Sequence, residues 1–321
     1  MTGPMPRERF ALFLYGQTAT GKSDLAIRLA EQVPAEIVNM DAAQLYTPLT
    51  IGVAKPAWRE QPATHHLFDL MDRPDDCTVV QYKSWLDTAL HGIWQRGKLP
   101  IVVGGSGFYL RSLFFPPQDS ALSSALLAGQ EISWQALHAI DPVRAAQIDP
   151  HDTYRIQRAL EIWYRTGKKP SRFTPVYQPP CHAQILFLTR DREQLYARIN
   201  ARTAAMVAEG LLEEASALCD TPWEPFLCRK GFIGYAETFD YLRSATRCSC
   251  ELIEKIAQRT RRYAKRQGTF WRGLERHIKT AQEAAGSNGY RVQTELVNLT
   301  AIGEDRYIDR LSSQLSRFSQ E

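Results

Sequence analysis

The sequence predicts an α/β fold, a parallel sheet flanked by helices with a helical insertion. Three observations carry this reading. Short, continuously apolar runs recur along the chain and alternate with longer helical segments, the pattern of strands buried on both faces. The first run leads into a glycine-rich turn that opens a helix. Between about Pro117 and Pro180 the alternation stops, and helices and proline-rich loops replace it.

The elements follow in order. Phe10 to Tyr15 is the first buried strand. A glycine loop runs from Gly16 to Gly21, then a helix from Ser23 to about Gln32, stopped by Pro34. Glu36 to Met40 is a second strand ending at Asp41. A helix from Val79 to Trp94 is broken by Gly97 and Pro100, and the strand Leu99 to Val103 runs into Gly104-Gly105-Ser106-Gly107. A helix from Thr153 to Thr166 ends at Gly167, the strand Gln184 to Thr189 follows, and Glu193 to about Ala217 is helical. A second helical block, about Ala205 to Gln267, comes after. Residues 1–116 and 181–321 would form the two parts of one core domain, and 117–180 a helical insertion domain.

Composition narrows the class. Hydrophobic residues make up 44% and charged residues 23%, which excludes a disordered chain or a fibrous repeat. No apolar run reaches the length of a membrane span, and the short N-terminal run before the glycine loop does not read as a signal peptide. The six cysteines form no C-x-x-C pair, so zinc is disfavoured and reduced thiols in a cytoplasmic protein are expected. The net charge of +4 permits a polyanionic partner without requiring one.

Gly16-Gln17-Thr18-Ala19-Thr20-Gly21-Lys22-Ser23 is a complete G-x-x-x-x-G-K-[ST] phosphate loop, so the fold is P-loop NTPase-like. Its glycines let backbone N–H groups turn inward, and the helix behind it adds a positive dipole end. Lys22 would put a cation on the phosphates, and the Ser23 hydroxyl would hold Mg²⁺. The bland alternative, a glycine turn without ligand, fits poorly with a loop placed between a buried strand and a helix. Asp41 ends a strand at the edge where such sheets bind ligands, as a metal ligand, a general base or simply a helix cap. The strands ending at Val103 and Thr189 supply no acid of the kind phosphate-loop NTPases use to organise Mg²⁺ and water. The loop therefore speaks for a diphosphate more clearly than for ATP hydrolysis. Ser106, in a second glycine turn, would face the same crevice. His65-His66 lack a third ligand and read as structural. From Arg259 to Arg272 the chain is strongly basic, with Arg259, Arg262 and Arg266 on one helix face and Tyr263, Phe270 and Trp271 interleaved. That suits a phosphate backbone with stacked bases, against the alternative of a solvated basic face.

These residues together resemble the tRNA dimethylallyltransferases, also called tRNA isopentenyltransferases, in their bacterial form. The resemblance runs in order through Gly16 to Ser23, Asp41-Ala42-Ala43-Gln44-Leu-Tyr46, Ile51 to Pro56, His65 to Asp69 and Gly104 to Tyr109. It continues through Tyr154 to Glu161, Gly231 to Tyr235 and Thr260 to Arg272. It implies transfer of a dimethylallyl group from dimethylallyl diphosphate to N6 of adenosine 37, beside the anticodon of tRNA, with Mg²⁺ as cofactor and a monomer without membrane attachment. It implies Lys22 and Thr18 on the diphosphate oxygens, Ser23 near Mg²⁺ and Asp41 as the general base. Asp41 to Gln44 would touch the flipped adenine and its neighbours, and Ser106 would border the channel where donor and adenine meet. Tyr154, Arg155, Ile156, Gln157 and Arg158 of the insertion, with Gly231, Phe232, Ile233, Gly234 and Tyr235, would contact the anticodon loop. Arg259, Arg262 and Arg266 would bind tRNA phosphates from outside the crevice. The chain departs from the family pattern at Ala42, where a serine is usual, and at Thr50, where an aspartate is usual. The arginine usual before Ile-Gly-Tyr falls nearest Gly231, with Arg229 and Lys230 displaced, and no Lys or Arg lies between Arg111 and Arg144.

Three other activities compete. A nucleotide kinase or ATPase would need a second acid near the loop. An isopentenyltransferase of free adenine nucleotides would need neither the basic helix nor the insertion. A non-catalytic RNA-binding protein would not need the intact loop with Lys22, Ser23 and Asp41 in register.

Overall fold

The computed structural model describes residues 9–117, 129–173, 175–285 and 289–320. The chain divides into two compact units, one running through Phe114 and resuming at Pro179, the other Phe115–Gln178. The first unit begins with β1 (Phe10–Gly16), α1 (Lys22–Gln32), β2 (Ala35–Asn39), β3 (His65–His66), α2 (Val79–Gln95), β4 (Leu99–Gly104) and α3 (Gly107–Phe114). The second unit holds α4 (Trp134–Ile140), α5 (Pro142–Ala145) and α6 (Thr153–Thr166). The first resumes with β5 (His182–Thr189), α7 (Arg192–Ala208), α8 (Leu211–Leu218), α9 (Trp223–Lys230), α10 (Tyr235–Arg243) and α11 (Ser249–Ala285). It ends with β6 (Val292–Asn298), α12 (Leu299–Ile302) and α13 (Glu304–Gln320).

The strands form one six-stranded sheet in the order β3-β2-β4-β1-β5-β6, with every pairing parallel. Because β1 is central and completely buried, its alternate side chains serve two cores. Leu12 and Leu14 pack with Leu25 and Leu29 of α1 and with Tyr307 and Leu311 of α13. On the other face Tyr15 meets Trp271 of α11, which lies flat on Phe187 with ring centroids 5.3 Å apart, and Phe13 meets Phe114. The carboxyl ends of β1, β2 and β4 therefore open on one edge, where a sheet of this kind presents its ligand crevice. Among the described residues no helix is long and apolar enough to cross a membrane.

The second unit builds its own small core from Leu137, Ile148, Ile156 and Leu160. Its helix starts are capped by side chains: Ser133, Asp141 and Asp152 each accept a backbone N–H from the first turn. Gly167, at φ +65°, closes α6 where the sequence places its end.

Several expectations change. The helix expected from Glu193 to Ala217 is two helices, α7 and α8, because Gly210 takes φ +114° between them. β3 and β6 are additional strands at the two sheet edges, where short or half-polar segments carry little apolar signal. Cys248 and Cys250, expected as reduced thiols, are joined as a disulfide at the start of α11, their Cα atoms lying 5.4 Å apart. Trp271, expected to interleave with basic residues for base stacking, is fully buried, because that face of α11 packs on the sheet.

Candidate active site

The phosphate loop leaves β1 and turns into α1 at Gly21, whose φ of +96° suits glycine. No side chain caps α1, so its first N–H groups stay free for an anion. Gln17 and Thr20 fold the loop rather than face a ligand. Thr20 Oγ1 donates to the Gln17 carbonyl at 2.8 Å, while the Gln17 amide donates to the Ala264 carbonyl and accepts from Thr189 Oγ1. The Thr18 N–H donates to Gln267 Oε1 at 2.8 Å, fixing the loop to α11. Gly16 lies so close to the β5 backbone at Leu188 that a Cβ would overlap it.

A cavity of about 380 Å³ opens beside this loop. Thr18 and Ala19 form one wall; Asp41, Ala42, Ala43 and Ser106 form another. Asp41 follows β2, with its N–H donating to Asn39 Oδ1 at 2.8 Å and its own Oδ1 accepting from the Ala43 N–H at 3.0 Å. Burial pushes its carboxyl above the usual range, opposed by the Ala43 N–H, Lys22, Arg202 and the Gln44 N–H. Lys22 Nζ donates to the Gln17 carbonyl at 2.7 Å. Burial and the neighbouring Arg202 bring its ammonium down to about 7, against the pull of Asp41. Ser23, by contrast, borders a separate void of about 20 Å³ together with Gln44.

The long-range contribution is cationic. From α7, Arg202 lines the cavity with Nη1 3.4 Å from Thr18 Oγ1, and Arg198 Nε donates to the Ala19 carbonyl at 2.8 Å. Arg190 Nε donates to the Thr20 carbonyl at 3.0 Å and pairs with Glu304. None of these arginines stood out in the sequence, although Arg198 and Arg202 share a helix face with Ile199 and Met206. Tyr263 and Gln267, one turn apart on α11, both donate to the Gly105 carbonyl, at 3.1 and 3.0 Å, and hold the second glycine turn beside Asp41. Glu214 of α8 was also missed. It accepts the N–H groups of Thr50, Ile51 and Gly52 and the Tyr235 hydroxyl, and so fixes the loop whose Gly52 and Val53 line the cavity.

The expected RNA-contact residues separate. Gly231, Phe232 and Ile233 line the cavity, and Gly234 begins α10 at φ +105°. Tyr235 is fully buried, its ring against Gly52 and its hydroxyl on Glu214, so it supports the wall instead of touching RNA. Gln44 donates to the Val53 and Ala54 carbonyls and likewise braces the wall. In the second unit Tyr154 and Arg155 are exposed, but Ile156 belongs to that unit's core, and Gln157 and Arg158 bond Glu161. On α11, Arg259 pairs with the buried Glu237 of α10, whose other oxygen accepts the Gly234 N–H. The basic run is thus partly neutralised from a neighbouring helix that the local sequence could not reveal. Arg262 and Lys265 are exposed, while Arg266 borders the cavity itself and lies over the Tyr263 ring, not outside the crevice as expected.

Taken together, the phosphate loop, the half-buried Asp41 carboxylate and Arg202 share one cleft whose lining is part apolar and part cationic. The sequence model described as IPP transferase matches residues 44–274. A tRNA dimethylallyltransferase of Geobacter sulfurreducens is 38% identical over 276 residues, covering 81% of this chain and 88% of that protein. One from Lactiplantibacillus plantarum is 39% identical over 275 residues, covering 81% and 88%. Among solved structures, a eukaryotic dimethylallyltransferase acting on tRNA superposes with a TM-score of 0.79 at 26% identity, covering 97% of this chain and 80% of that one. The tRNA isopentenylpyrophosphate transferase of Bacillus halodurans gives 0.63 at 29% identity, covering 98% and 97%. With the family model matching well over half its length, the chain belongs to the IPP transferase family.

Proposed function

We propose that the protein transfers the dimethylallyl group of dimethylallyl diphosphate to N6 of adenosine 37 in tRNA, releasing diphosphate. The observation that carries this is the cleft that sets Asp41 among Lys22, Arg202 and the phosphate loop. An exocyclic amine is a poor nucleophile, so the donor C1–O bond must be well broken as N6 attacks. Lys22, Arg202 and the free N–H groups of α1 stabilise the leaving diphosphate, and Asp41 accepts the N6 proton. The adenine reaches the cleft only by leaving its stack, past Ser106 and the Gly231–Ile233 segment.

The site offers Mg²⁺ few hard protein oxygens, and Ser23 borders a void separate from the cleft, so the ion would be held mainly by substrate phosphates and waters. The Ser23 hydroxyl, in the first turn of α1, would hold it with the diphosphate, and the ion would neutralise charge on the leaving group. The protein works in the cytoplasm as a monomer in this reading.

Incubation with labelled dimethylallyl diphosphate and unmodified tRNA, followed by nucleoside analysis, tests the reading; N6-dimethylallyladenosine at position 37 is the expected product. AMP serving as well as tRNA would make this a free-nucleotide enzyme, and ATP turnover without prenyl transfer would make it a kinase or ATPase. The exposed cations of α11 provide a second measurement. Arg262→Gln combined with Lys265→Gln should flatten the salt dependence of tRNA affinity by about 1 to 2 log–log units, each phosphate contact contributing roughly 0.7 to 0.9. An unchanged slope would leave this helix face simply solvated. Arg259→Gln should instead lower stability, since it strips the buried Glu237 of its partner.

A further inference from the structure

We infer that Gln267 is a positioning residue, whose side-chain amide joins the two glycine turns and so sets the distance from donor to attacking amine. This rests on the prenyl-transfer reading above and adds a residue that does not itself line the cleft. Both ends of the amide are used. Oε1 accepts the Thr18 N–H at 2.8 Å, and Nε2 donates to the Gly105 carbonyl at 3.0 Å. These partners lie 249 and 162 residues away along the chain.

Each partner belongs to a wall that would meet a different reactant. Thr18 lines the cleft on the phosphate loop, where the diphosphate would sit, and Ser106 lines it beside Gly105. The Gly105 turn is seated on the segment that carries the base. The Ser106 N–H donates to the Met40 carbonyl at 3.4 Å, and a Cβ on Gly104 would overlap that carbonyl. A Cβ on Gly105 would lie 3.7 Å from Asp41 Oδ2. The amide therefore fixes the loop that holds the leaving group against the turn that borders the amine. Helix α11 keeps the amide rigid: Gln267 is 3% exposed, on a buried stripe with Ala264, Trp271 and Leu274. A polar group in such a stripe is unfavourable unless its ends are paired, so packing by itself would place an apolar residue here. Gln17 ties the loop to the Ala264 carbonyl, and Tyr263 adds a second donor to Gly105. Each of these bonds one side; Gln267 bonds both.

The test is single-turnover transfer with both substrates bound, whose rate constant reports the geometry of the complex rather than the amount of folded protein. Gln267→Met keeps the length of the side chain and removes both bonds. Its rate constant should fall about a hundredfold, the cost of misplacing the reactants by about 1 Å. Affinities for inorganic diphosphate and for tRNA should stay within about threefold, the pattern of a group that acts on the transition state. Tyr263→Phe removes one donor to Gly105 and leaves Thr18 tied, so it should cost about tenfold or less, the worth of one neutral hydrogen bond. If Gln267→Met fails to fold, Gln267→Asn keeps an amide too short to reach both partners, and the same loss is expected. An unchanged rate constant with less folded protein would reduce the bridge to a stabilising contact and overturn the inference. Equal losses in Gln267→Met and Tyr263→Phe would overturn it too, by placing the effect at Gly105, as would a loss confined to diphosphate affinity. Absence of prenyl transfer by the unaltered protein would count against the prenyl-transfer reading, a separate result.

Discussion

Asp41→Asn should lower the rate of prenyl transfer by about 10² to 10⁴ at saturating donor and tRNA, the usual cost of removing a general base. The variant keeps the local geometry. An asparagine oxygen can still accept the Ala43 N–H, and the Asn39 contact to the backbone N–H of residue 41 does not involve the side chain. What disappears is a group able to take a proton from N6. Burial raises the Asp41 carboxyl above the ordinary range, which makes it a stronger base while its charge is still favoured by Lys22 and Arg202. The sign of the pH dependence follows. The active form is the carboxylate, so kcat/KM for tRNA climbs as pH rises through the raised Asp41 value, and the asparagine variant lacks that acid limb. Single-turnover transfer measured across pH at saturating donor and subsaturating tRNA, which reports kcat/KM for tRNA, is the decisive readout. Normal transfer with weakened Mg²⁺ affinity would make Asp41 a metal residue.

The sequence made the sheet centre and the phosphate loop legible because their signals are local. β1, β4 and β5 are built on short apolar runs, Phe10–Tyr15, Ile101–Val103 and Ile185–Leu188, and the loop is a fixed spacing of glycines, lysine and serine. The cleft's other walls were not, because they are assembled across long sequence separation. Arg202 reaches Thr18 from 184 residues away and Glu214 reaches Thr50 from 164, and no local spacing announces either contact. The basic run shows the same limit from the other side. Its composition is correct, but helical geometry divides it: Trp271 turns to the sheet, Arg259 to a buried glutamate, Arg266 to the cleft, and Arg262 with Lys265 to solvent. Family resemblance pointed to Gly231 to Tyr235 without showing that the first three line the cleft while Tyr235 is their buried support.

Lys22→Ala should reduce kcat at least about a hundredfold, the scale of one preorganised electrostatic group acting on charge that develops in the transition state. The ammonium rests on the Gln17 carbonyl of the loop, 2.7 Å away, and would turn to the diphosphate oxygens as they take up charge. Its depressed pKa, about 7, gives the prediction a second arm. In the free protein the ammonium is present below that value and is lost as pH rises through it. Donor kcat/KM, which reports the free enzyme, should therefore fall on the alkaline side beginning near neutrality. A bound diphosphate favours the charged form and lifts the pKa, so kcat should decline only at higher pH. Lys22→Ala should abolish this alkaline limb in donor kcat/KM along with the rate, while tRNA affinity changes little. A variant that retained near-normal kcat, or kept the same alkaline limb, would remove Lys22 from the leaving-group role and leave Arg202 as the principal cation on the diphosphate.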